Sequence, residues 1–271
     1  MPDIGVTTAG RIRRSLARRQ KTRLNQLLIL ASLVVAGGLC AWVTEFNFPK
    51  LVAGFPAIYK LLNRMLPPDA EILYSLGKPT IETLQMALLG TTIPIFFALP
   101  LALLSAVNTA PSRATSVAIR VVLNALRTIP ELLWALLLVS AVGLGTFPGV
   151  IALILHTTGG LGKFYYEAIE AVDPRSVEAI RATGAGRLKV IWFGIIPSCL
   201  PILMSSTLAY WDYNNRAATI LGLVGAGGIG LALTHAIQAF NYPAAITCLI
   251  VIIVILTVID RISAVLRARV I

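Results

Sequence analysis

Glu178-Ala-Ile-Arg-Ala-Thr-Gly-Ala185, running on to Ile195-Ile-Pro197, is the stretch from which the rest of the chain is read. It has a short polar helix pattern, with Glu178, Arg181, Arg187 and Lys189 set between two long apolar runs. Gly184 breaks the pattern about one turn after it starts, and Gly186 follows closely. A charged turn between apolar runs reads first as a connecting loop. The order of residues here is more particular: Glu178-Ala179, a glycine six positions after the glutamate, and Pro197 thirteen positions further on.

Outward from this stretch the chain is apolar. Of its 271 residues 57% are hydrophobic and 13% charged, and the mean hydropathy is +0.82. Soluble domains carry about 25% charged residues, so this composition belongs to an integral membrane protein. A formal charge of +11 raises the question of nucleic acid. The basic residues flank apolar runs rather than forming one patch, so the partner they imply is a lipid bilayer and not a nucleic acid. Cys40, Cys199 and Cys248 lie within apolar runs without C-x-x-C spacing and read as small buried hydrophobes.

Seven Arg and Lys residues and no acid occupy 11–23 (Arg11, Arg13, Arg14, Arg18, Arg19, Lys21, Arg23), ahead of an apolar run from Leu24 to Val43. That run is too long for a signal-peptide core and ends at Trp42, an interface residue, so a retained first span with a cytosolic amino terminus is expected. Residues 44–79 mix charge, proline and aromatic residues and read as an outer, interfacial segment. Further spans are expected at about 81–107, 115–142, 148–168, 191–211 and 243–262. The expected fold is an all-α membrane protein with about six transmembrane helices.

Several polar residues fall inside these spans. Glu82 and Gln85 share one helix face and read as interface residues. Arg120, Asn124, Arg127 and Glu131 share one side of the third span, for which two readings stand: an ion pair between Arg127 and Glu131 at a helix break, or a side facing a water-filled path. His156 has no second ligand at helical spacing and reads as a hydrogen-bonded packing residue. Asp212, Asn214, Asn215 and Arg216 gather at the expected outer end of the fifth span. They are candidates for an outer mouth, unless Arg216 only pairs with Asp212 four residues away.

Gly225-x-Gly227-x-x-Gly230, with Gly228 between, matches the dinucleotide fingerprint in letters alone, because no βαβ unit fits between membrane spans. These glycines read as close-packing or gating positions. Charge decides whether 217–240 crosses. With six spans, eighteen of the 23 basic residues lie inside and only Lys50, Lys60, Arg64, Lys78 and Arg216 lie outside. A seventh crossing would move Arg261, Arg267 and Arg269 outside, against the positive-inside bias. Six spans put both termini and the 178–197 loop in the cytosol.

The quoted stretch resembles the cytoplasmic EAA loop of ABC-importer permeases, whose pattern is Glu-Ala-Ala, three residues, Gly, nine residues, Ile-x-Leu-Pro. Ile180 stands for the second alanine, Gly194 for the isoleucine and Ile196 for the leucine. Thr80 to Gly90, Arg127-Thr-Ile-Pro-Glu131, Gly143-Leu-Gly145, Glu167-Ala-Ile-Glu170 and Ala217 to Gly230 add a resemblance to the phosphonate-type permease across about 80–269. The resemblance implies the type I importer architecture: a cytosolic tail 1–23, a first helix 24–43, an outer segment 44–79 and a transporter domain 80–269 with the coupling loop at 178–197. It implies that Glu178, Ala179, Arg181, Gly184, Ala185 and Pro197 form a coupling surface. It also implies a homodimer with a second copy of this chain, two cytosolic ABC ATPase subunits and an extracytoplasmic substrate-binding protein. The imported solute would be a phosphonate or related phosphorus oxyanion. No Walker A sequence is present, no cofactor or metal is expected, and the chain reads as a transport subunit of the cell membrane rather than an enzyme. The other readings are a permease for a different small solute, a secondary transporter, which would show a repeated half, and an intramembrane enzyme, which would need a catalytic constellation; neither of the last two features is visible.

Overall fold

The computed structural model describes residues 25–44, 46 and 48–270, so the basic tail expected at 1–23 lies outside the described residues. The chain divides into two compact units, 1–61 and 62–271. In the first, α1 (Asn25–Val43) is 19 residues long, about 28 Å at the helical rise, and leaves Leu27, Leu33, Val35 and Trp42 exposed. α2 (Phe48–Met65) follows and ends in the second unit.

The second unit holds the remaining helices. They are α3 (Ile72–Ser105), α4 (Arg113–Thr128), α5 (Glu131–Val142), α6 (Thr146–Glu170), α7 (Pro174–Ala182), α8 (Arg187–Gly222), α9 (Gly228–Gln238) and α10 (Tyr242–Val270). No strand occurs among the described residues. α6 is the centre of the bundle, packed against α3, α4, α5 and α8. Small residues let it fit there. A Cβ on Gly159 would stand 2.6 Å from the backbone N of Arg127, and one on Gly162 2.6 Å from a Leu123 methyl. Across α3, a Cβ on Gly90 would meet that of Leu153 at 2.7 Å. Membrane helices have no hydrophobic drive to associate within lipid, so such close approaches supply the packing.

Two expected spans differ from those observed. The third is not one helix over 115–142: α4 and α5 meet at 80° at Ile129-Pro130. Proline lacks an amide and bars the helical conformation from the residue before it, and Ile129 is accordingly extended, at ψ 117°. The fifth does not stop at Trp211 but continues to Gly222. A wide π-turn at Ile191–Ile195 lies directly before Pro197, where the missing amide would otherwise interrupt a regular helix. Residues 212–216 are therefore internal to a 36-residue helix and not its outer end.

Four described helices are long and apolar enough to cross a membrane, and the bent pair makes a fifth. α6 falls short in apolarity because of its Thr, Gly and His residues, yet at 25 residues it reaches about 37 Å and is sheltered by its neighbours. α9, at 11 residues or about 16 Å, cannot cross a core about 30 Å thick. It folds back from α8 through a turn in which Gly225, Gly227 and Gly228 adopt φ of 91°, 80° and 70°. Its amino terminus is received by α3: Gly228 N donates to Glu82 Oε2 at 3.2 Å and Ile229 N to Thr83 Oγ1 at 2.9 Å. The anion set at this glycine-rich turn is thus the chain's own carboxylate.

Gly230 is where α8 and α9 touch, for a Cβ there would lie 2.0 Å from the Thr219 carbonyl oxygen. Backbone cannot yield as a side chain can. Gly230→Ala is expected to destabilise by about 1–3 kcal/mol or more, seen as a lower midpoint of thermal unfolding in detergent. An unchanged midpoint would show the contact to be loose.

Candidate functional site

Two polar regions stand out, one at the end of the bundle around α7 and one at mid-height. α7 starts at Pro174, with Asp173 as its cap: Asp173 Oδ1 accepts from Arg175 N at 2.9 Å. The Asp-Pro start signal lies five residues before Glu178, where the motif places the helix, so the helix is a turn longer than the polar pattern indicates. It stops at Gly184, whose φ of +78° is the left-handed conformation that favours glycine. Glu178, Ala179, Arg181 and Gly184 are exposed, Ala185 is half-buried and Pro197 exposed.

The inner side of α7 is fixed to the bundle by Val177 and Ile180. Val177 packs against the core cluster of Tyr165, Ile169 and Ile195. Ile180 fills the space above Gly194, where a Cβ would lie 2.8 Å from its Cδ1. Two of the three departures from the motif therefore meet each other: the larger residue on α7 occupies the volume that the smaller residue on α8 leaves. Next to this contact, Arg187 donates through Nη2 to the Thr109 carbonyl oxygen at 2.6 Å and to that of Ala110. Glu170, at the end of α6, accepts from Val107 N at 2.6 Å and pairs with Arg120, which also donates to Ser105 O at 3.0 Å and lies 4.5 Å from the Tyr166 ring centroid. Arg120 thus belongs to this end of the bundle. The spacing of basic residues on α4 does not reveal Glu170 as its partner, because the pair spans 50 positions.

The mid-height region is a belt around α8. Asn214 is fully buried, donating to Gly90 O at 3.0 Å and Thr91 Oγ1 at 2.9 Å while accepting from Thr157 at 3.1 Å. Thr91 is the midpoint of Gly77–Ser105 and Thr157 lies next to that of α6, which sets the belt halfway along the bundle. Asn215 is also buried, donating to Trp211 O at 2.7 Å. Asn214 and Asn215 are therefore interior residues rather than a mouth, because α8 continues past them. Arg216 bonds Asp212 at 3.1 Å and Asp260 of α10 at 2.9 Å.

The pair between Arg127 and Glu131 does not form. The 80° break between α4 and α5 turns them apart, and Arg127 reaches Asn124 Oδ1 instead, at 3.4 Å. Glu131 accepts from Tyr213 Oη at 2.8 Å and lies 3.6 Å from His156 Nε2, while His156 Nδ1 lies 3.1 Å from Ile129 O. Among the described residues no three potential metal ligands cluster. The belt can orient an anion or bridge helices. The α7 end presents the exposed charges of Glu178 and Arg181.

Comparison with known proteins agrees with the fold and with the family resemblance. Residues 98–271 match the family described as binding-protein-dependent transport system inner membrane component. The chain is 40% identical over 245 residues to the phosphite transport system permease protein PtxC of Stutzerimonas stutzeri, covering 90% of this chain and 88% of that one. It is 39% identical over 227 residues to the phosphate-import permease protein PhnE of Mycolicibacterium smegmatis, covering 84% of this chain and 43% of that one. The fold is similar to a chain of the inward-facing MetNI methionine ABC transporter, with a TM-score of 0.66, 18% identity and coverage of 75% of this chain and 99% of that one.

The contact of Ile180 with Gly194 yields a swap test. Gly194→Ile alone is expected to push Ile180 off its seat and cost about 1–3 kcal/mol. Adding Ile180→Ala should restore most of the unfolding midpoint, a non-additivity read by a double-mutant cycle. Additive losses would mean that the two side chains do not share this space.

Proposed function

The chain belongs to the family of binding-protein-dependent transport system inner membrane components, and from that membership we propose that it is the permease subunit of an ATP-driven ABC importer for a phosphonate or related phosphorus oxyanion. The observation that carries the substrate class is the identity of 40% over nine-tenths of the chain to a phosphite permease. The relative at 39% is a phosphate importer, so the shared chemistry is a tetrahedral phosphorus oxyanion.

Energy enters through α7. Glu178 and Arg181 are exposed on a helix anchored from below by Val177, Ile180 and the Arg187 bonds, an arrangement suited to transmit a push. Two cytosolic ATPases are the partners, one beneath each of two permease copies, and an extracytoplasmic binding protein delivers the solute. ATP-driven closure of the ATPases favours one permease state only through contacts that differ between states, and α7 is where such contacts are made. Both termini and α7 then lie in the cytosol. With Arg216 and Arg261, the neighbour of Asp260, both at mid-height, one basic residue leaves each side and the charge asymmetry is kept.

Two measurements test this reading. Proteoliposomes holding the permease with its ATPase and binding protein should take up phosphite, phosphate or methylphosphonate only with ATP. If Glu178 meets a basic residue of the ATPase, Glu178→Arg should cut uptake at least about tenfold, since a like charge in a buried contact costs several kcal/mol, while membrane insertion stays normal. Wild-type uptake of none of these solutes would reject the substrate class, and full uptake by Glu178→Arg the coupling surface. Separately, in a chain freed of Cys40, Cys199 and Cys248, cysteines placed at Lys78 and Lys189 should react with an impermeant maleimide from opposite sides, the first from outside. Reaction from one side would overturn the topology.

A further inference from the structure

Arg216 has two carboxylate partners, and how it holds them matters. Asp212 Oδ2 and Asp260 Oδ1 both accept from the same terminal nitrogen, Nη2. A guanidinium carries five N–H donors, of which Nη2 supplies two. The one on Nε and the two on Nη1 make no hydrogen bond within the described residues, and 52% of the side chain is exposed. Asp260 is 47% exposed beside it.

These groups stand level with Asn214, at mid-height, where lipid would leave donors unsatisfied at a cost of several kcal/mol each. A guanidinium serving only to clamp α8 to α10 would gain most from fork-to-fork pairing with one carboxylate. Here both acids hold it by one nitrogen and leave the remaining donors turned outward.

Resting on the permease reading, we infer that Arg216 is a transit site for the phosphorus oxyanion and that Asp260 sets how weakly it binds. Asp212, four residues back on the same helix, holds the guanidinium in place. The open Nε–H and Nη1–H donors receive oxyanion oxygens. The charge of Asp260, alongside, repels the same anion and keeps its stay short. A conducting path needs this balance, because a site that binds too well does not release. Sequence spacing indicates Asp212 as a partner of Arg216 but not Asp260, which is 44 positions away on another helix.

Asp260→Asn keeps an oxygen acceptor for Nη2 and removes the opposing charge. In the permease–ATPase complex in nanodiscs, equilibrium binding of radiolabelled inorganic phosphate should tighten about tenfold or more, with phosphite and methylphosphonate competing. The gain should vanish when Arg216→Gln is added. Phosphate bound no tighter by Asp260→Asn, or a gain that survives Arg216→Gln, would overturn the inference in favour of a clamp. Should Asp260→Asn fail to assemble, Arg216→Lys decides: it keeps the positive charge for both acids but leaves one further donor in place of three. Uptake should fall at least about tenfold in that variant, and wild-type uptake would overturn the transit site. Failure of the substrate reading is separately visible, since wild-type uptake of every phosphorus oxyanion would then be absent whatever Asp260→Asn does.

Discussion

Asn214 has no exposed surface and joins α8 to two other membrane helices near their middles, through Gly90 O and Thr91 on α3 and Thr157 on α6. In hydrocarbon an amide without partners costs several kcal/mol, so once α8 carries Asn214 the register of α3, α6 and α8 is constrained together. The small residues of α6 and Gly90 then bring the helices near enough for those bonds to close. Much of what lies at either end follows from this height reference. It places Arg216 and Asp260 at mid-depth, and it brings the far ends of α6 and α8 together where α7 is mounted.

Much of this was legible in the sequence, and the limits have physical causes. Apolar length and the distribution of Arg and Lys define most spans, because the bilayer imposes both. Helix breaks were harder. Pro130 breaks the third span by 80°, whereas Pro197 and Pro201 leave α8 unbroken, since a π-turn and the neighbouring helices absorb the lost bonds. Proline count alone does not distinguish these outcomes. Side-chain partners were legible at spacing four, as for Arg216 with Asp212, and failed where the backbone bent, as for Arg127 with Glu131. Glu170, Asp260 and Tyr213 were missed as partners because they lie 44 to 82 positions from Arg120, Arg216 and Glu131, and spacing carries no signal at that range.

The Ile180 and Gly194 contact shows how a motif can drift while its surface persists. Read separately, each departure weakens the motif: one residue is too large and the other too small. In three dimensions they share one volume, so the packing beneath α7 is kept while the exposed Glu178 and Arg181 remain available. The inward surface answers only to the bundle, which is free to redistribute its own volume.

The belt also fixes which side of the protomer can meet lipid. Phe96 and Phe97 on α3 and Ile253, Val254 and Val258 on α10 are exposed and apolar, and hydrocarbon satisfies them without cost. The face bearing Arg216 and Tyr213 on α8, with Asp260 beside it, is exposed and polar at the same depth. Lipid cannot solvate it, so it requires either water or another protein chain. In the importer proposed above, a facing permease chain across a hydrated path would meet both requirements at once, covering the belt's rim while water wets its centre. A lone protomer in a bilayer would leave two charged groups, Arg216 and Asp260, against acyl chains, which would give assembly a driving force independent of any apolar interface.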